Sequence, residues 1–549
     1  MKTPIALLAL LGTVPVLSAN ALAQDASISV LHGVPGLPGA VEVVANGGTL
    51  FSFCYGEQRG PLALPPGQYA VEVVLDGTTI LDDTYDLAAG DDVSVIANLD
   101  ASGAPQLTPF ANDGSALTLP SSRVTVRHTA EAPAVDVIVL QNGSQVLSID
   151  NVTNGQQATT DVPPGDYEVE LRLAGTPTVA FGPVPLTVED GFRYGVFAVG
   201  QALTPNFDLL VQRDALTAQV RSMEGLRFGN VTPALFLDNG EVLELDDLVE
   251  GPVAVQPGTY AAEFRAFGGS STLVSGGQVT LEKGDDLTLL PYLGFGTALQ
   301  FGEYANDTSA LALSRNARVT VRHTALAPAV DVVVSQNGTT VATIAGLVNG
   351  DEAVAELPAG TYDVGIAAAG TSNFVFGPTP LTFDARTNTI AQALGELGTT
   401  FTVGVDVIDL AGVPQPSELL LRRFGTGCGP TLATSTNCAM FGDTFTVALE
   451  NLVPSSNAVL FYGLSDTAAG ALPLPADATS FGAPGCTLYT DYLGFVFAPA
   501  DVNGRATFDL GLPLALAASF DALYLQGIQA TPNTGAHFQT SGALAIERN

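Results

Sequence analysis

The residues best suited to chemistry come in repeated sets. His128 is followed by Asp136, His323 by Asp331, and His32 by Glu42. A histidine and a carboxylate on adjacent strands are the parts of an oriented general base. Nucleophilic catalysis also needs a hydroxyl or thiol at a fixed place, and no Ser, Cys or Thr accompanies the pair in all three copies. A catalytic site is ordinarily single, whereas this pair recurs along one chain. The expectation is therefore structural: a strand-end imidazole bonded to an acid on the next strand, no catalytic residues, and no enzyme.

Metal chemistry is weakly supported. The four histidines, His537 among them, show no ligand spacing to one another or to a cysteine, which argues against zinc. Calcium has better material in Asp82-Asp83, Asp91-Asp92 and Asp285-Asp286, acids expected near turns. None has the Asp-x-Asp-x-Asp-Gly spacing, and Gly-Asp pairs form turns without a metal. No cofactor is expected. Phosphate-cradling loops, dinucleotide fingerprints and nucleophile elbows are absent from the sequence.

What positions these residues is a repeat. Residues 123–130 read Arg-Val-Thr-Val-Arg-His-Thr-Ala, as do residues 318–325. Ala-Pro-Ala-Val-Asp-Val at 132–137 returns at 327–332, and Phe-Gly-Pro at 181–183 returns at 376–378. All three matches share one offset of 195 residues, so a pair of units was duplicated as a block. Weaker copies at the half-step include a Pro-Gly-x-Tyr or related turn at Tyr69, Tyr167, Tyr260 and Tyr362. The domains expected are a leader over 1–23, repeats over 24–120, 121–216, 217–315 and 316–422, and a different unit over 423–549. Repeat 3 is the most diverged, with Ser222 where the others have His.

Within repeat 2, Val124 and Val126 alternate with Thr125 and Arg127, the period-2 pattern of a half-buried strand. Val135, Val137 and Val139 repeat it and end at Asn142-Gly143, a hairpin turn signal. Roughly seven short strands per repeat is the rhythm of an immunoglobulin-like sandwich. The tyrosine after each glycine turn fits a structural cap of the sandwich edge through its hydroxyl. The fold class expected is all-β: tandem immunoglobulin/transthyretin-like sandwiches plus a C-terminal sandwich-like domain.

The pattern V-R-H-x-x-x-x-P-A-V-D-V, followed by L-P-x-G-x-Y-x-V and a G-T-x-x-x-x-x-x-P segment, resembles the DUF4397 repeat of secreted bacterial proteins. The resemblance covers about residues 26–420; it is close in repeats 2 and 4, moderate in repeat 1 and weak in repeat 3. It implies a β-sandwich fold and export, and it implies no activity.

After Arg422-Arg423 the repeat stops, and Phe424-Gly425-Thr426-Gly427-Cys428 opens a new unit. This is similar to Gly-Thr-Gly-Cys-led C-terminal β modules on varied secreted bacterial proteins, and its placement suggests sorting or surface retention beside a plain structural role. Disulfides are the default for exported cysteines. Cys486 is expected to pair with Cys428 or Cys438, and Cys54 is expected to be a buried thiol or the partner of the cysteine left over.

Lys2 and the apolar run to Leu17, closed by Ala21-Leu22-Ala23, read as a cleaved secretory leader, and no later run is long enough to span a membrane. The formal net charge of −36, with Lys283 the one lysine outside the leader, disfavours nucleic acid and anionic lipid. The functional expectation is a secreted or cell-surface interaction or scaffold protein whose partner is an unknown extracellular protein or glycan. The alternatives are an extracellular hydrolase with an inter-domain site, or a calcium-stiffened adhesin.

Overall fold

The computed structural model describes residues 24–548, apart from 38–39, 76, 203, 205, 227–231, 267–270, 314, 411, 414–418, 435–437, 440–443, 513–521 and 531–537. Repeat 1 has eight strands: β1 (Ala26–His32), β2 (Val41–Ala45), β3 (Gly48–Phe53), β4 (Gln58–Leu64), β5 (Gly67–Leu75), β6 (Thr78–Leu87), β7 (Asp92–Leu99) and β8 (Pro105–Ala111). They form two four-stranded sheets, ordered β4-β1-β7-β8 and β3-β2-β5-β6, and the same two orders recur in repeats 2, 3 and 4. β1 runs parallel to β7 and antiparallel to β4. The fold is therefore a set of tandem β-sandwiches.

Local chemistry accounts for the recurring turns. The hairpin between the counterparts of β2 and β3 in repeat 2 turns at Asn142 and Gly143, with φ of 51° and 73°. Two consecutive positive φ values make the type I′ turn that suits strand twist. Asn46-Gly47 and Asn337-Gly338 do the same, and repeat 3 substitutes Asp238-Asn239. Phe-Gly-Pro has a steric reason: Gly182 has φ +92°, and a Cβ there would lie 2.6 Å from the Val169 carbonyl oxygen.

The period-2 strands are not half exposed. Ser122–His128, the counterpart of β1 in repeat 2, is buried at every position. Val124 and Val126 enter the repeat's own core, while Arg123, Thr125 and Arg127 are buried on the other face. That face meets repeat 1: Leu31, Ile96 and Phe110 pack with Phe197 and Val199. Repeats 3 and 4 are joined likewise, Met223 and Leu290 packing with Ile390, Leu394 and Ile408. The duplication preserves polar links across each pair. Asn154 Nδ2 donates to Leu99 O at 2.9 Å and Asn349 Nδ2 donates to Leu293 O at 3.1 Å.

The C-terminal domain joins a six-stranded sheet to a three-stranded one around its own core. Its first strand, Leu419–Phe424, pairs with its last, Phe538–Arg548. A boundary at 422/423 therefore cuts through that strand: the Leu-rich start of the domain reads in sequence like the end of a repeat. Cys428 is bonded to Cys486, and Cys54 of repeat 1 to Cys438. Cys54 is thus the partner of the leftover cysteine, and it ties the first repeat to the last domain. Arg423 supports the contact by donating to Gly36 O at 2.8 Å. No helix among the described residues is long and apolar enough to cross a membrane.

Candidate functional site

The histidine–carboxylate pairs do not form. His128 is buried, and its Nε2 lies 2.9 Å from Pro133 O; His323 repeats this with Pro328 O at 3.0 Å. The carbonyl fixes the ring proton on Nε2. Asp136 turns to the loops instead, accepting from Asn151 N and Gly175 N, each at 2.8 Å. Asp331 accepts likewise from Gly346 N at 2.7 Å and Gly370 N at 2.8 Å. The reason is strand alternation: Val135 and Val137 take the core side, so Asp136 between them faces outward. In repeat 1, Glu42 is exposed on β2, while buried His32 accepts Val34 N on Nδ1 at 3.3 Å. His537 lies outside the described residues. The hydroxyls that do recur, Thr129 and Thr324, donate to the carbonyls of Ala198 and Ala393.

Burial lowers the basicity of all three imidazoles, and that of His32 falls to about 3. A histidine kept neutral in the fold but free to protonate when unfolded stabilises fully above the unfolded value near 6.5, and progressively less as the pH falls below it. The His32 ring is expected to show no protonation in an NMR titration until the pH approaches 3, with stability of repeat 1 declining from about pH 6.5 downward.

The four tyrosines share one contact. Tyr69, Tyr167 and Tyr362 donate to the carbonyls of Pro65, Pro163 and Pro358 at 2.8, 2.9 and 2.7 Å, and Tyr260 donates to Gln256 O at 2.8 Å. Each ties a turn to the strand that follows it. Tyr167→Phe, which removes one partly buried hydrogen bond, is expected to cost about 1 kcal/mol in urea unfolding, with less at Tyr69, whose hydrogen bond is exposed.

The acidic pairs divide. Asp82 and Asp83 lie within strand β6 rather than at a turn. Asp91 and Asp285 cap their own turns, accepting from Ala88 N and Glu282 N. Asp92 and Asp286 reach a polar cavity of about 1120 Å³ that all four repeats line. There Arg193 of repeat 2 forks onto Asp92 of repeat 1, with Nη1–Oδ2 of 2.5 Å and Nη2–Oδ1 of 2.8 Å, and its Nε reaches Asp214 at 3.0 Å. Arg221 of repeat 3 holds Asp286 at 3.0 Å and Asp406 of repeat 4 at 3.1 Å. Lys283 lies 3.4 Å from Asp92 and so connects the two pairs, as does Gln219 Nε2 donating to Asp190 O.

Two arginines support these carboxylates from behind. Arg127 donates to Asn112, and Asn112 donates in turn to Asp92; Arg322, Asn306 and Asp286 repeat the relay. Arg127 sits over Phe110 and Phe197, 5.0 and 4.9 Å from the ring centres. Burial, then the charge of Arg193, lowers it to about 10, so it stays protonated at neutral pH. Burial alone would raise Asp92, but the Arg193 hydrogen bonds and charge, with Asn112 and Lys283, outweigh it and hold the carboxyl below its usual range. The chemistry of the cavity is mutual neutralisation of acids by guanidinium groups, and no His or Cys is among its lining residues.

Sequence reasoning missed this junction. A usable signal was present in Arg127, Arg221 and Arg322, which recur just before the His or Ser position of repeats 2, 3 and 4. It also missed Asp246, Asp247 and Glu250, whose carboxylates come within 4.8 Å of one another near the surface of repeat 3.

Residues 26–138 match the family described as "Domain of unknown function (DUF4397)". The chain contains a DUF4397 domain. The match covers repeat 1 and runs into the first strands of repeat 2, rather than falling on repeats 2 and 4, where the motif resemblance is closest. No curated protein matches the chain. Among solved structures it is similar to the Bacillus anthracis TIE protein, at 11% identity over 65% of each chain with a TM-score of 0.12. It is also similar to a DUF3823 family protein from Parabacteroides merdae ATCC 43184, at 14% identity over 43% of this chain and 98% of that one, again with a TM-score of 0.12. The chain spans just under two thirds of the first of these, and likenesses this slight carry no functional inference.

Proposed function

We propose that the chain is a non-catalytic, exported interaction protein: four β-sandwich repeats closed around a polar junction, carrying a C-terminal module, with an extracellular protein or glycan as partner. The observation that carries this reading is how the reactive groups are used. The repeated histidines and acids are committed to backbone contacts, and Arg193 and Arg221 at the junction are matched by Asp92, Asp214, Asp286 and Asp406. Export is supported by the leader pattern and the two disulfides. The hydrolase alternative has a cavity between repeats but no histidine lining it. The calcium alternative is left with Asp82 and Asp83 on a strand, Asp91 and Asp285 engaged as turn caps, carboxylates that guanidinium groups already hold, and the surface acids of repeat 3.

The test is a glycan and matrix-component binding screen on the intact, oxidised chain, run beside a panel of hydrolase substrates. Intactness matters because Cys54–Cys438 bridges the domains that a truncation would separate. Binding without turnover is expected. Turnover that disappears in Asp214→Asn would overturn the reading in favour of a hydrolase, and a melting temperature raised by calcium and lowered by EDTA would favour the adhesin.

A further inference from the structure

We propose that the strand Gly494–Pro499 of the C-terminal domain is a self-association edge, which pairs antiparallel with the same strand of a second copy of this chain. This strand is the last in the six-stranded sheet. It pairs with Asn457–Gly463 on one side, and among the described residues no strand pairs with its other side. Its backbone donors and acceptors there form a template for another strand.

The side chains on this edge are apolar and exposed. Phe497 is 67% exposed, Phe495 45% and the adjoining Tyr492 65%. Their rings form a row, with centres 6.1 Å apart from Tyr492 to Phe495 and 4.9 Å from Phe495 to Phe497. Protein edges are ordinarily blunted by charge, a bulge or proline, and here the one such residue is Pro499 at the strand's end, outside the Phe495–Phe497 pairing. Residues 492–500 carry no charge, and the pairing with Asn457–Gly463 has no register shift.

Charge and area both point to a second copy as the occupant. On a chain with a net charge of −36, two copies repel least where neither presents an acid. At about 200 Å² per aromatic residue the three rings leave roughly 350 Å² in water. Leu493, Val496 and the backbone edge bring this to roughly 500 Å² per copy, about 1,000 Å² for the pair, the lower bound for a specific interface. The dimer is therefore a weak one. Phe495-Val496-Phe497 is also symmetric about Val496. A two-fold axis through that residue sets Phe495 against the partner's Phe497, an aromatic cross-strand pair on each side of the axis.

Sedimentation velocity of the full-length oxidised chain, from low to high micromolar concentration, tests the proposal. A monomer–dimer equilibrium is expected, weakened at least tenfold by Phe497→Glu and equally by Phe495→Lys. In the F495K/F497E double variant each introduced cation faces an introduced anion across the axis, so the dimer returns. The substituted side chains are exposed, so melting temperatures should stay at the parent value, and the parent concentration series is decisive alone. A chain monomeric throughout, a dimer indifferent to Phe497→Glu, failure of the double variant to restore it, or a monomer whose edge instead takes up an unrelated extended peptide would overturn self-pairing.

Discussion

Arg193→Ala is expected to cost about 3–5 kcal/mol, because it removes the one guanidinium that neutralises both Asp92 and Asp214 and leaves two mostly buried carboxylates facing each other. The loss should appear in urea unfolding as weaker docking of repeats 1 and 2. Its pH dependence distinguishes it from a packing defect. In the parent chain Asp92 is depressed below its unfolded value, so its contribution is present above about pH 4 and is lost as the pH falls through the folded value. In the variant, only Asn112 and Lys283 still oppose burial at Asp92, so its carboxyl moves up from its depressed position. The deficit should therefore be largest near neutral pH and shrink as acid protonates Asp92. Arg422→Ala provides the contrast: its pair with Glu547 is well exposed, and its loss should cost no more than about 1 kcal/mol.

Cys54→Ser is expected to have an effect of similar size by a different route. The Cys54–Cys438 bond links residues 384 positions apart, against 58 for Cys428–Cys486. Loop-closure entropy grows with the logarithm of loop length, so the long link should contribute about 4–5 kcal/mol and the short one about 1–2 kcal/mol less. The losses should also differ in place. Without the long link the C-terminal domain loses its covalent hold on repeat 1 and keeps the Arg423 contact to Gly36. Limited proteolysis should then separate the C-terminal domain from the repeats sooner, with the repeats intact. Cys428→Ser should weaken the C-terminal domain itself.

The sandwiches were legible because their signals are local. Alternating valines mark strands by facing one core, Asn-Gly marks hairpins by tolerating positive φ, and each turn tyrosine needs only a carbonyl four residues back. The junction was not legible, because a strand whose polar face meets water and one whose polar face meets another repeat have the same alternation. Arg127 and Thr125 read as solvated residues and are buried between repeats. Arg193 has no counterpart in repeat 4, where Asn388 stands at the matching position, so self-alignment gave it no weight. Cys54 is likewise unmatched in the other repeats, and its partner is set by how distant domains meet. The resemblance of His–Asp spacing to a catalytic pair failed for the opposite reason: His128 and Asp136, close in sequence, lie on strands of different sheets, and Asp136 faces away from the core between them.

The closure of the four repeats around one junction, with the C-terminal domain fastened to the first of them, is tested most directly by small-angle X-ray scattering of the full-length oxidised chain. A closed arrangement predicts a radius of gyration on the order of 25–30 Å, slightly above that of one compact body of this length. Five modules strung end to end would give about 45 Å or more, and a value in that range would contradict the shared junction and with it the roles given to Arg193, Arg221 and Lys283.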